Sequence, residues 1–504
     1  MHAIVPKAVF NASPVVDFHT IISIDQPTAP PGFTLERLGE VWVAVDPKLR
    51  RISFADGAGV EFAVGFGFIY SEFTQDFIGA GVETLAERVS TIADFETKVL
   101  PRLAGSFIAL TTGPLPTRLY LDHAGSMPMV YSAADRRAAT SPSTLLDEAE
   151  YQSRFLSELH GAMVGREGEG SWISGTLTAH RGVFRLLANH FLDLETWTAA
   201  RFWPRPDDVE GWRDFETASV AAADAMKAFS NAVFRNFKTA TTLTAGFDTR
   251  LVLASCRDHS DECQFFTIAA PHAEKDMDIS KRIAARFGLK HRVLPLRRAD
   301  PLQTAIWDRT VGDTIIEAPR LTYPTLQHEL ADFEVQLTGA FGEIGRCRYY
   351  RQDLETINDA KIDARFVISR LTIPQHPDMV INIQEWIDGL AGQPNSVILD
   401  LALHELKLGS WAMPQRAFMT SVKLSLMPFA QRIVFDHLTG IRPTEKDTKS
   451  LFWAMIVHLW PELKEFPINK YGDFNDQLSM IRKLFAPNRL QRLLRDRSAK
   501  ATNA

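Results

Sequence analysis

Thr242-Leu243-Thr244-Ala245-Gly246-Phe247-Asp248-Thr249-Arg250-Leu251 leaves a β-branched stretch, Thr239–Leu243, passes through a short loop and enters an apolar helix candidate, Arg250–Cys256. A strand that runs straight into a loop and a helix is the building unit of a parallel α/β sheet. Small residues at 244, 245, 246 and 249 let backbone N–H groups approach an anion closely, and the helix behind them adds the positive end of its dipole. Such a loop suits pyrophosphate. Asp248 makes little sense there as a phosphate contact and good sense as a ligand for a Mg²⁺ that bridges phosphate oxygens. The same residues also suit a plain βα turn in which Thr244 or Thr249 caps the helix and Asp248 favours its N-terminus. The loop is not of the Gly-x-x-x-x-Gly-Lys-Ser/Thr kind, because the pattern and its lysine are missing.

Outward from this segment, Gln264–Ile268 predicts a second strand, Asp276–Phe287 a helix and Arg292–Pro295 a third strand, the βαβαβ order of a doubly wound parallel sheet. Upstream, Gly211–Phe237 has the helical spacing of Val220, Ala223, Met226 and Phe229; after Leu337 the chain reads as mostly helical to its end. Residues 1 to about 200 read instead as strand-rich, with Glu40–Val45, Val60–Phe68, Ser106–Thr111 and Arg118–Leu121 separated by Gly, Pro and Asp turns, hence a layered β or α+β unit. Arg201-Phe202-Trp203-Pro204-Arg205-Pro206-Asp207-Asp208 is dense in breakers and suits a boundary, so the expected organisation is α/β with domains 1–205 and 206–504.

The 504 residues exceed one ordinary domain, and 45% hydrophobic with 23% charged residues is a globular composition able to build sizeable cores. A formal net charge of -6 offers no general positive field, so neither nucleic acid nor a membrane surface is an expected partner. The basic tail around Arg492, Arg495, Arg497 and Lys500 is a local exception, a solvated helix face or a docking patch. The three cysteines, Cys256, Cys263 and Cys347, lack zinc spacing, and the chain shows neither a signal-peptide pattern nor a bilayer-length apolar run; a reducing cytoplasm is the expected location.

The loop Thr244–Thr249 resembles the Ser-Gly-Gly-x-Asp-Ser signature of the asparagine-synthetase-like, N-type ATP pyrophosphatases, a family that includes β-lactam synthetase and lasso-peptide cyclase. Phe266-Thr267 with Lys275–His291 resembles the family's adenine-flanking strand and its Asp, helix, Gly-Leu-x-His element; Asp276 taken alone reads rather as part of an N-capped amphipathic helix ending on Gly288. Gln336-Leu337-Thr338-Gly339-Ala340-Phe341-Gly342-Glu343-Ile344-Gly345-Arg346 is similar to the family's Ser-Gly-Asp-Gly-Gly-Asp-Glu loop, with Glu343 in the place of the second metal-binding Asp; a Gly-rich turn with Glu343 and Arg346 paired is the other reading. The resemblance implies ATP on Leu243, Thr244, Ala245, Gly246, Asp248, Thr249, Thr267 and Gly339, with Mg²⁺ held by Asp248 and Glu343. A pyrophosphate lysine is sought among Lys446, Lys449 and Lys470, each of which also suits the surface. Glu405 and Trp411 fall in a helix like one of biosynthetic family members, Trp411 reading as core filler, and Tyr323 either lies near the reacting groups or is a packed ring.

The first part resembles the family's class II glutamine amidotransferase-like, Ntn-hydrolase-like domain, through Arg118–Tyr131, Ala139–Pro142, Arg185–Leu194 and Arg201–Pro204. Those glutaminases use an N-terminal cysteine as nucleophile; residue 2 here is His2, and no cysteine precedes Cys256. The resemblance thus implies an AMP- and pyrophosphate-forming ligase that adenylates a small-molecule or peptide carboxylate and joins it to ammonia or an amine, without glutaminase. An asparagine synthase using free ammonia, or a non-catalytic scaffold subunit of a biosynthetic cluster, are the alternatives.

Overall fold

The computed structural model describes residues 13–164, 171–205, 211–316, 319–446 and 448–472. The molecule is mixed α/β, with antiparallel sheets, one parallel sheet and many helices.

Period-two alternation in the first 200 residues gives each strand one face to bury against a second sheet. One sheet runs Phe184–Leu186, Met129–Ser132, Arg137–Ala139, Thr20–Ser23, Val41–Val45 and Thr34–Leu38. The other is built on the long central pair Glu61–Ser71 and Leu103–Thr111, extended through Arg118–Leu121 on one side and Arg50–Ala55 on the other. Ile22 and Val43 from the first meet Val64, Phe66, Ile108 and Leu121 from the second. The outer faces are covered by short helical segments, Phe95 and Val99 over Phe54 and Phe107, and Leu145 and Tyr151 over Ile21 and Ala44. The layered α+β expectation therefore holds, and Arg118–Leu121 forms with its expected bounds.

The second part opens with helix α1, Phe215–Asn236, and a sheet of five parallel strands: β1 Thr239–Thr242, β2 Gln264–Ile268, β3 Lys290–Leu294, β4 Val335–Leu337 and β5 Leu424–Leu426. Helix α2, Phe247–Ser255, follows β1, and α3, Glu274–Phe287, follows β2. Both sheet faces are buried: the neighbours Phe265 and Phe266 belong to two different apolar clusters, as successive side chains of a strand must when each face is packed. The strand order is β3-β2-β1-β4-β5, so direction of winding reverses between β1 and β4. At such a reversal the loops leaving the carboxyl ends of the two strands part and open a crevice. After Leu337 the described chain is mostly helical, as expected, with β5 added: three residues, Leu424-Ser425-Leu426, are too few for an alternation to register in sequence, and only pairing with β4 makes them a strand.

Two features lock the parts together. Ser171–Trp172 pairs antiparallel with Ile315–Ile316. Glu405, fully buried, accepts from Asn189 Nδ2 (2.9 Å), from both Arg201 nitrogens (2.8 and 2.7 Å) and from Trp386 Nε1 (2.6 Å). Among the described residues no helix is long and apolar enough to cross a membrane, and the three cysteines are free and buried.

Candidate functional site

The loop after β1 and the loop after β4 lie against each other at the reversal of strand order. A Cβ on Gly339 would come within 2.7 Å of the Asp248 Cβ and 3.0 Å of the Thr249 nitrogen, and one on Gly342 within 2.5 Å of Asp248 Oδ1. Only glycine permits backbone to approach this closely. Thr244, Ala245, Gly246, Asp248, Thr249 and Gly339 thus form one cluster.

The loop is closed by its own side chains. Thr249 Oγ1 accepts from the Thr244 N–H (3.2 Å) and lies 2.7 Å from Thr244 Oγ1, which in turn accepts from the Gly246 N–H (3.2 Å). Gly246 is the N-cap of α2, and no side chain caps that helix, so neither Thr244 nor Thr249 plays the capping part weighed from sequence. Instead the threonines brace the turn, and the first-turn amides of α2 precede the first helical bond, from Arg250 N–H to Gly246 O. Asp276 corrects the capping expectation too: α3 is N-capped by Ala273, and the Asp276 carboxylate accepts from the Ala245 N–H at 2.9 Å. The C-cap is Gly288 in the left-handed conformation, as its sequence suggests.

Asp248 forms an ion pair with Arg346, while its Oδ1 is buried and makes no hydrogen bond. Glu343 pairs with Arg348 at 2.6 Å. The Glu343–Arg346 pair weighed from sequence is replaced by two others: residues 342–346 make a 3₁₀ turn, and Glu343 takes Arg348 while Arg346 takes Asp248. That turn is bracketed by Phe341 and Cys347, both non-glycine residues with positive φ (71° and 48°), a strained arrangement that clusters at functional sites. Arg346 spans the two regions: it pairs with Asp248 and also lines, with Glu343, a cleft of about 740 Å³. Burial first, then the like charges of Arg351 and Arg348, pull its guanidinium down to about 10.

Thr267 is buried, and its hydroxyl donates to Leu243 O (2.7 Å) and lies 2.9 Å from His291 Nε2, so its side chain ties β1 to β3. The lysines separate clearly. Lys446 is buried against Asp400 (2.7 Å) and Tyr350 (3.3 Å), contrary to a surface position, whereas the Lys449 side chain lies outside the described residues. Lys470 is exposed and follows Asn469, whose N–H donates to Ala245 O at 2.9 Å. Tyr323 packs its ring on Phe418 (4.7 Å), and Trp411 is half-buried on the core. His2 and the basic tail from Arg492 to Lys500 lie outside the described residues, as do residues 206–208 of the expected boundary. Sequence reasoning missed Arg348, Arg351 and Arg370; the first two sit in the visibly basic run Arg346-Cys347-Arg348-Tyr349-Tyr350-Arg351, whereas nothing local marks Arg370.

No protein-family model matches the chain, and no curated protein does.

Proposed function

We propose that the chain is an ATP-dependent, AMP- and pyrophosphate-forming amide-bond synthetase of the asparagine-synthetase-like kind, acting on a small-molecule or peptide carboxylate and an amine or ammonia. Its second part is then an N-type ATP pyrophosphatase domain and its first an Ntn-hydrolase-like domain; in the sequence no cysteine precedes Cys256. The observation that carries the reading is the meeting of the β1 and β4 loops at the reversal of strand order, with Gly339 and Gly342 pressed on Asp248.

Among the described residues no three His, Cys, Asp or Glu side chains gather to hold a metal. Mg²⁺ does not need such a cage, since it is commonly held by one or two carboxylates plus substrate phosphates. The buried, unbonded Oδ1 of Asp248 is an acceptor that a cation fits, and Glu343 is reached by releasing Arg348. Bound there, Mg²⁺ would neutralise charge on the phosphates. The chain's own share is positioning: the braced loop orients the phosphates, the first-turn amides of α2 face them, Arg346 and Lys470 supply positive charge, and a carboxylate attacks the α-phosphate in line. The location that goes with this chemistry is the cytoplasm.

Asp248–Arg346 and Glu343–Arg348 favour a second reading, a non-catalytic scaffold in which arginines stand in the metal's place. Titration of ATP into the full chain with and without Mg²⁺ separates the two. The ligase reading expects Mg²⁺-dependent binding that Asp248→Ala weakens at least tenfold, followed by pyrophosphate release with an accepted acid. Equal binding by wild type and Asp248→Ala, or none by either, establishes the scaffold.

A further inference from the structure

The cleft next to Asp248 is built like a binding site in its own right. Its volume, about 740 Å³, is that of a small-molecule pocket. Arg346, Arg348, Arg351 and Arg370 line it, against a single carboxylate, Glu343. Two elements bring them together: the strained turn and the segment after it supply the first three, and helix α4, Ala364–Leu371, supplies Arg370 from its last turn. Guanidinium groups gathered around one cavity repel one another, and an anion bound among them relieves that repulsion. Arg346, Arg348 and Arg370 are paired with Asp248, Glu343 and Asp353, but a guanidinium carries five N–H donors, so each keeps donors for a ligand after one such pair, and of the three carboxylates only Glu343 lines the cavity. Gln352, Ser369 and Thr372 add neutral polar groups to the same walls.

The geometry points to a binding site for a small polyanion, a molecule with two or more carboxylate or phosphate groups, in the cleft between the 343–352 segment and α4. Planar guanidinium forks grip such groups bidentately. Arg346 joins the cleft to the loop at Asp248, so an acid held by the other three arginines lies beside the proposed adenylation site. Only the naming of this ligand as the ligase's acidic substrate rests on the proposed function; the anion site rests on the cleft.

The test is calorimetry on the full chain at low salt, with tricarballylate as the carboxylate probe, pyrophosphate as the phosphate probe and propionate as a single-charge control. Tricarballylate or pyrophosphate is expected to bind at least tenfold more tightly than propionate. Arg351→Ala with Arg370→Ala, both at least partly exposed, is expected to weaken that binding at least tenfold and to leave ATP binding unchanged. Glu343→Gln, which removes the cavity's one negative charge, is expected to tighten it severalfold, a gain that a damaged fold does not produce. Tighter tricarballylate assigns an acidic substrate, and tighter pyrophosphate assigns the leaving group. Failure of both probes to outbind propionate, or equal binding by wild type and the double variant, overturns the site. If ATP does not bind but a probe does so through the arginines, the ligase reading falls and the cleft stands.

Discussion

Two arginine–carboxylate pairs in this molecule look alike on paper and are built for opposite ends. At the junction of the two parts, Glu405 is buried with Arg201, and its two oxygens receive four donors. At the crevice, Asp248 gives one oxygen to Arg346 and leaves the other buried without a bond. A saturated buried carboxylate has no capacity left for a ligand and fixes structure; a half-satisfied one at a cleft retains an acceptor. The difference teaches that burial of an ion pair does not by itself make a binding site, whereas an acceptor left unbonded is one that a ligand can use.

The largest effect belongs to the junction. Glu405→Ala strands Arg201, Asn189 and Trp386 without their acceptor, and breaking a buried pair by removing one partner costs about 3–5 kcal/mol. Urea denaturation should show that loss, with Asp248→Ala far less destabilised. Near-equal stabilities would break the comparison.

The next effect is pH. Burial drives His19, His190 and His404 down to about 4 from an ordinary 6.5, so the folded chain keeps them neutral while the unfolded chain takes up protons. Between those values the unfolded state binds more protons, and stability falls as pH falls from about 6.5 to 4. Burial pushes the Glu405 carboxyl up, but the Arg201 charge and hydrogen bonds outweigh it and hold it at about 2 rather than 4.5. Its stabilisation is therefore present above pH 4.5 and is lost as pH falls through to about 2. Denaturation midpoints across this range should decline in both windows; Glu405→Gln should flatten the lower one and, because the Glu405 charge raises His190 and His404, carry the upper one to lower pH.

What the sequence made legible follows from range of interaction. β2 and the βαβαβ order carry their own hydrophobic periodicity, and the small residues of Thr244–Thr249 state the loop's geometry directly. β5 was illegible because its three residues become a strand only through β4. Asp276 looked like a helix cap because local spacing allowed it; its bond to Ala245, 31 positions away, exists only in three dimensions. The same holds for the arginine cleft, to which Arg370 comes from a separate helix, and for Lys446, whose burial depends on Asp400. Contacts between distant segments, which set the electrostatics of the site, leave no periodic trace.

The smallest effect sharpens the comparison most. Arg348–Glu343 is a third pair, with side chains 46% and 30% exposed, and pairs of that kind contribute about 0–1 kcal/mol because water and salt screen them. Arg348→Ala should therefore leave thermal stability nearly unchanged. It also frees Glu343, the second carboxylate of the proposed metal site, so the Mg²⁺ concentration that half-saturates ATP binding should fall relative to wild type. A stability loss above about 2 kcal/mol would place this pair with the structural junction at Glu405, since exposed pairs do not reach that size. An unchanged stability with a raised Mg²⁺ requirement would mean that Arg348 orients Glu343 toward the metal instead of withholding it.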